Sequence, residues 1–337
     1  MVMELAFAPD LMEARDFLER NGLAFEEGYD DLVGVHDGGE LVAVGARAGN
    51  ILKMIAVEQS RQHGPLLGEI TTFLVGRGFA AGFDSLFVFT KPEYAVSFEV
   101  LNFSLLTSHG RVALLEYGRG LERWLSSHRH LVREGLNGAV VMNCNPFTLG
   151  HRHLVETAAG QVDHLYIFVV REDRSVFPFD VRFRLVNEEV RDLSNVLLID
   201  TSFYAISSVT FPTYFLKGAD HIVQIQMELD LALFASRIAP FFGISRRFFG
   251  TEPFCAVTCS YNETMKRLLP VYGIDAVEIE RKETSDGVIS ASRVRELLKD
   301  DVLSPLDKYV PPTTLAYLGS AAAAPVLEKL RKSNGRH

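Results

Sequence analysis

Apolar positions recur at helical spacing over residues 11–20, with Asp10 and Glu13 in the relation of a capping box and Gly22 as a stop. Residues 31–36 and 40–47 instead alternate apolar and polar about Asp37-Gly38-Gly39, which predicts a hairpin. The apolar run 51–57 predicts a third strand, followed by a helix over 66–76, a strand over 85–90 and a short helix over 94–101. Residues 118–134 are charged, with Trp124 and Leu131 as packing points, and read as a connecting helix. Beyond it, short apolar runs near 138–142, 163–170, 195–199, 246–250 and 275–280 alternate with helical segments. The whole pattern predicts an α/β protein whose second domain is a doubly wound parallel sheet, with ligands at the carboxyl ends of the strands.

Candidate chemistry falls at those ends. The run 138–142 leads into Asn145-Pro146-Phe147-Thr148-Leu149-Gly150-His151, turn residues before a helix. Such a strand–turn–helix aims free backbone N–H groups and the positive end of a helix dipole at one point, where a phosphate fits. His151 can donate to a phosphate oxygen there, Thr148 can add a hydroxyl, and Gly150 leaves room for a nucleotide near the backbone. An ordinary helix start with His151 as a half-exposed cap residue has the same pattern. Ser290 and Ser292 precede a second helical run, with Arg295 one turn in; they suit an anion clamp or a plain helix cap. Two such starts in one chain favour the phosphate reading.

Thr148-Leu149-Gly150-His151 resembles the T/HxGH motif, and Ile289-Ser290-Ala291-Ser292-Arg293-Val294-Arg295 the ISxSxxR motif, of the nucleotidyltransferase superfamily. The longer strings 143–151, 172–182, 207–217 and 250–254 are similar to the citrate lyase ligase family within it, over roughly 135–300. That resemblance implies a Rossmann-like fold and attack of acetate on the α-phosphate of ATP. The resulting acetyl-adenylate would acetylate a phosphoribosyl-dephospho-coenzyme A thiol on the acyl-carrier subunit of citrate lyase. It implies His151, Thr148 and Arg295 as catalytic residues. It implies Asn145, Pro146, Phe147, Gly150, Gly250, Thr251, Glu252, Ser290, Ser292, Arg182 and Lys217 as the ATP site, with Glu252 near the ribose or a magnesium-bound water. Mg²⁺ would bridge the phosphates, with no dedicated protein metal site. A plain adenylyltransferase acting on a phosphorylated acceptor would use the same two motifs.

The hairpin–strand–helix order of the first part resembles a GNAT-type acetyltransferase domain. The loop that should cradle the coenzyme A pyrophosphate is Arg61-Gln62-His63-Gly64-Pro65-Leu66, in which Pro65 lacks an N–H and Leu66 adds bulk. A docking, structural or pantetheine-holding role stands beside acyl transfer, and an acyl-carrier-binding or acyltransferase module is the third functional reading. The expected layout is a GNAT-like domain over 1–117, a connecting helix over 118–135 and a nucleotidyltransferase domain over 136–337, whose tail from Ala321 is a helix fraying into solvent.

Composition adds limits. The chain has 337 residues, 47% apolar and 23% charged, enough for two cores. A net charge of -9 argues against nucleic acid or an anionic membrane as the partner. No apolar run nears the ~18 residues of a membrane span, and the start lacks a signal-like basic and apolar pair, so a cytoplasmic protein is expected. Cys144, Cys255 and Cys259 cannot form a disulfide framework; buried thiols are expected, rather than a metal site at Cys255 and Cys259.

Overall fold

Pro9 in the first turn starts α1 (Ala8–Arg20) shortly after a short strand, β1 (Val2–Glu4). The expected cap is shifted. Asp10 lies inside the first turn, where its carboxylate accepts the Phe7 N–H at 3.2 Å. Glu13 is drawn to His36 Nε2 (3.1 Å) and the Leu41 N–H (3.3 Å). Next come β2 (Asp31–Asp37), β3 (Glu40–Ala48), β4 (Ile51–Val57), α2 (Leu66–Ala80), β5 (Leu86–Thr90), α3 (Ala95–Glu99), β6 (Phe103–His109), β7 (Val112–Tyr117) and α4 (Gly120–Ser127). This is a computed structural model, and it describes residues 1–62, 64–171, 175–205, 219–253, 255–284, 287–300 and 305–332.

The strands of this first unit form a seven-stranded sheet in the order β1-β2-β3-β4-β5-β7-β6. All neighbours are antiparallel except β4 and β5, which pair in parallel over two positions only, Ile51 with Phe87 and Leu52 with Val88. That is the GNAT-like arrangement the resemblance implies. Helix α1 closes one apolar cluster through Ala14, Phe17 and Leu18, and α2 closes another through Ile70, Leu74 and Val75.

The second unit carries β8 (Asn137–Met142), α5 (Leu149–Ala159), β9 (His164–Val169), α6 (Phe179–Glu189) and β10 (Val196–Asp200). Helix α7 (Ala219–Leu233) follows in sequence but belongs to the first unit, where it packs on β6 and β7 and Glu228 meets His109 Nε2 at 3.4 Å. Then come α8 (Ala239–Phe242), β11 (Ile244–Gly250), α9 (Ala256–Leu268), β12 (Asp275–Ile279), the small hairpin β13 (Glu283–Thr284) and β14 (Gly287–Val288), α10 (Ala291–Lys299), α11 (Pro312–Leu318) and α12 (Ala324–Lys332). The two units are Met1–Ser127 with Val209–Leu233 and His128–Ser208 with Phe234–His337. This differs from the expected division. Helix α4 is shorter than the connecting helix read from the sequence and stays with the first unit, Leu121 and Trp124 buried and the Leu121 N–H held by Glu116 at 3.1 Å.

The second sheet is wholly parallel, in the order β10-β9-β8-β11-β12. Strand order reverses between β8 and β11, so their carboxyl ends open a crevice. The C-terminal tail is not simply a solvated end: α12 buries Val326 and Leu330 against α10 and α11, in a cluster that also takes in Phe177 and Ile289. Cys255 and Cys259, expected as buried thiols, are exposed at the start of α9, whereas Cys144 is buried. No helix among the described residues is long and apolar enough to cross a membrane.

Gly118, between β7 and α4, has φ +107°, and a Cβ there would stand 2.5 Å from the Asp84 carbonyl oxygen, a main-chain atom that cannot swing aside. Gly118→Ala should cost about 2 kcal/mol or more, read as a lower urea midpoint. An unchanged midpoint would contradict the close approach.

Candidate active site

Strand β8 delivers the chain into a loop whose backbone is held from behind. Cys144 adopts a left-handed φ of +54° and the Asn145-Pro146 peptide is cis. The Asn145 side chain accepts the Phe177 N–H at 2.9 Å, and Phe147 is fully buried. Thr148 then caps α5, accepting the His151 N–H at 3.3 Å. His151 returns the contact: its Nδ1 accepts the Thr148 N–H at 3.0 Å and lies 2.9 Å from Thr148 Oγ1. An Nδ1 that accepts from a backbone N–H carries no proton, so the neutral ring holds its proton on Nε2. Burial, and next the charge of Arg281, push the His151 pKa down to about 4. His151 is thus a neutral donor, not a cation.

Gly150 has a packing reason beyond the one expected of it. A Cβ there would stand 3.1 Å from the Ile289 carbonyl oxygen, so its bareness lets the start of α5 reach the segment before α10. On that segment Ser290 caps α10, accepting the Arg293 N–H at 3.1 Å. Arg295 donates through Nη1 to the Asn145 carbonyl at 2.6 Å and through Nη2 to Ser292 Oγ at 3.1 Å. Residues 150 positions apart are thereby joined. Burial lowers the Arg295 pKa.

The third edge comes from β11 and β12. The Gly250 carbonyl accepts from Asn262 at 2.9 Å, and the Thr251 N–H donates to Ile279 O at 3.0 Å. Glu252 accepts the N–H of Cys255, the N-cap residue of α9, at 3.1 Å and pairs with Arg281. All three edges line one pocket of about 650 Å³ at the carboxyl ends of β8 and β11, which Thr148, Gly150, His151, Glu252, Ser290, Ser292 and Arg295 share. Another hollow of about 500 Å³ sits at the amino ends of β11 and β12, by Arg246 and Asp275, and holds none of the motif residues.

The sequence profile described as "Citrate lyase ligase C-terminal domain" matches residues 137–318. The chain belongs to the citrate lyase ligase family. The [citrate [pro-3S]-lyase] ligase of Haemophilus influenzae is 39% identical over 311 residues, 90% of this chain and 93% of that protein. The [citrate [pro-3S]-lyase] ligase of Klebsiella pneumoniae is 39% identical over 315 residues, 90% of each. As a member of the citrate lyase ligase family, the chain is an enzyme of the ligase class. A solved putative GNAT acetyltransferase from Desulfovibrio desulfuricans covers 35% of this chain and 98% of its own, at 18% identity and a TM-score of 0.30. The fold of the first unit rests on its own strand order.

Of the expected ATP contacts, Arg182, Pro146, Phe147 and Thr251 do not line the pocket. Arg182 is fully buried and does not reach the pocket; it donates to the carbonyls of Phe177 (3.0 Å), Asn143 (2.7 Å) and Val170 (2.8 Å). It is a positioning residue behind the loop. Pro146 and Phe147 also stand behind the surface that Asn143, Cys144 and Asn145 present to the pocket. Lys217, residues 172–174 and Phe254 lie outside the described residues. Asn143, which opens the 143–151 string, shares hydrogen bonds with Ser175, whose carbonyl in turn accepts from Lys329 of α12 at 2.9 Å. Arg247 and Arg281 escaped the sequence reading. Arg247 lies 2% exposed at the pocket wall, its guanidinium 4.4 Å from the Phe234 ring and Nη2 on Tyr261 OH at 3.2 Å. Neither sits in a recognisable motif, and only their positions within or after predicted strands pointed to them.

Arg182→Met should leave three carbonyls without their donor and lower stability by roughly 3 kcal/mol or more, measured by denaturant unfolding. A variant as stable as the parent would show the clamp to be dispensable. For His151, the depressed pKa means the unfolded chain takes up a proton before the folded one does, so its contribution weakens stability as pH falls from about 6.5 towards about 4. Nitrogen NMR should show the Nε2–H tautomer unchanged between about pH 5 and 8. A titration midpoint near the ordinary histidine value would refute the neutral-donor assignment.

Proposed function

We propose that the protein activates acetate with ATP and passes the acetyl group to a carrier thiol. The observation that carries this reading is the convergence of two capped helix starts, α5 with Thr148 and His151 and α10 with Ser290, Ser292 and Arg295, on one pocket at the reversal of strand order. A carboxylate oxygen of acetate attacks the α-phosphorus; the bond to the β-phosphate breaks and pyrophosphate leaves. A thiolate then attacks the acetyl carbonyl and AMP leaves. The His151 Nε2–H and the α5 amides hold the α-phosphate as charge builds, while Ser290, Ser292 and Arg295 receive the leaving pyrophosphate. Gly250 and Glu252 border the nucleoside. A magnesium ion would arrive on the nucleotide with phosphate and water ligands.

The chain's [citrate [pro-3S]-lyase] ligase relatives favour a ligase over a plain adenylyltransferase. The thiol in this reading belongs to the phosphoribosyl-dephospho-coenzyme A arm of the citrate lyase acyl carrier. Acetyl-CoA is a poor candidate for the donor, because Pro65 stands at the N-cap of α2 and Leu66 opens the helix, where a pyrophosphate would need N–H groups and space. The first unit then serves the carrier arm. Deleting that unit is a poor test, since α7 would lose the strands it packs on.

Exchange of labelled pyrophosphate into ATP tests the reading: it should require acetate, whereas exchange dependent instead on a phosphorylated acceptor would sink it. His151→Ala should slow acetate-dependent exchange about a hundredfold or more with ATP binding little changed. Arg295→Ala should raise the KM for ATP about tenfold as well as slow the reaction, because its fork meets phosphate in both ground and transition states. Normal use of ATP by the Arg295 variant would return that residue to a purely structural role.

A further inference from the structure

Arg281 lies outside both motifs, two residues past β12, and lines the same pocket. It is anchored from three sides. Its main-chain N–H donates to Thr251 Oγ1 at 3.2 Å, its Nε to the Thr251 carbonyl, and its Nη2 to Glu252. No bond to the described residues uses Nη1, and the side chain is 24% exposed. The other cations of the pocket are differently placed. Arg295 turns its fork to Asn145 and Ser292, and Arg247 is sealed beneath Phe234 and Tyr261. His151 offers a donor without a charge. Among the described residues lining the pocket, Arg281 is therefore the partly exposed cation with a guanidinium nitrogen left over for an α-phosphate beside His151.

We propose that Arg281 is a catalytic residue of the adenylation step, holding a non-bridging oxygen of the α-phosphate through Nη1 while the His151 Nε2–H holds another. The proposal rests on the adenylate reading above. As the acetate oxygen bonds to phosphorus and the bond to pyrophosphate breaks, negative charge concentrates on those oxygens, and a guanidinium already fixed by Thr251 and Glu252 stabilises it without rearranging. Glu252 offsets part of the Arg281 charge in the ligand-free protein. When ribose hydroxyls engage Glu252, more of that charge acts on the phosphate, so nucleotide binding itself strengthens the site. The lowered pKa of His151, to which Arg281 contributes after burial, agrees with two groups that sense each other across the pocket.

The test compares wild-type protein with R281Q and R281K by calorimetric binding of AMP and of adenosine, and by acetate-dependent pyrophosphate exchange. The glutamine keeps a donor but no charge. R281Q should bind AMP about tenfold more weakly, bind adenosine as the wild type does, and exchange pyrophosphate about a hundredfold more slowly; R281K should recover part of both losses. Equal weakening of AMP and adenosine would mean that Arg281 only holds the Thr251–Glu252 turn, and would overturn the proposal. So would wild-type exchange by R281Q. If the wild-type protein shows no acetate-dependent exchange while R281Q still loses its preference for AMP, the adenylate reading fails and the α-phosphate contact stands.

Discussion

A loop that turns its amide groups toward an anion turns carbonyls away from it, and those carbonyls have to be satisfied from behind. The second unit meets that constraint with cations. Arg182 gathers the carbonyls of Asn143, Val170 and Phe177, Arg295 takes that of Asn145, and Lys329 that of Ser175. The loop after β8, the segment before α6 and the helices near the C-terminus are joined through these three side chains. Each is charged, and each donates to backbone oxygen.

The electrostatics of the pocket follow from that construction. With Thr148 N–H directed at its Nδ1, His151 cannot take a second proton without turning that bond into a clash of donors. Burial and Arg281 act in the same direction. A neutral imidazole beside a fixed guanidinium suits a reaction in which the nucleophile comes from the substrate and the protein contributes position and charge. Glu252 links the N-cap residue of α9 to Arg281.

The two units have different sheets for different reasons. In the first, antiparallel strands with short turns bury apolar residues on both faces, and the lone parallel pair, β4 with β5, stays in register over two positions. In the five-stranded sheet of the second, every strand is parallel, which places all the strand ends that carry motif residues on one side. Helix α7 complicates the linear picture: β10 and β11, its neighbours in sequence, belong to one unit, and the helix folds on the other.

Local periodicity determined most elements. The hairpin about Gly38 and Gly39, the apolar runs of β8 to β12 and the starts of α5 and α10 were all legible, because turn chemistry and hydroxyl caps act on near neighbours in sequence. The family was legible too, through Thr148 to His151 and Ile289 to Arg295. Tertiary structure alone decided what the arginines do. Arg182, Arg281 and Arg295 look alike as sequence, a cation on a helix or after a strand, yet one is sealed on carbonyls, one is braced beside an acidic partner and one joins the two motifs. It also placed α7 with the first unit and tied α12 to Ser175. A long side chain reaches several ångströms from its backbone, and the groups it meets there come from segments that only folding brings together.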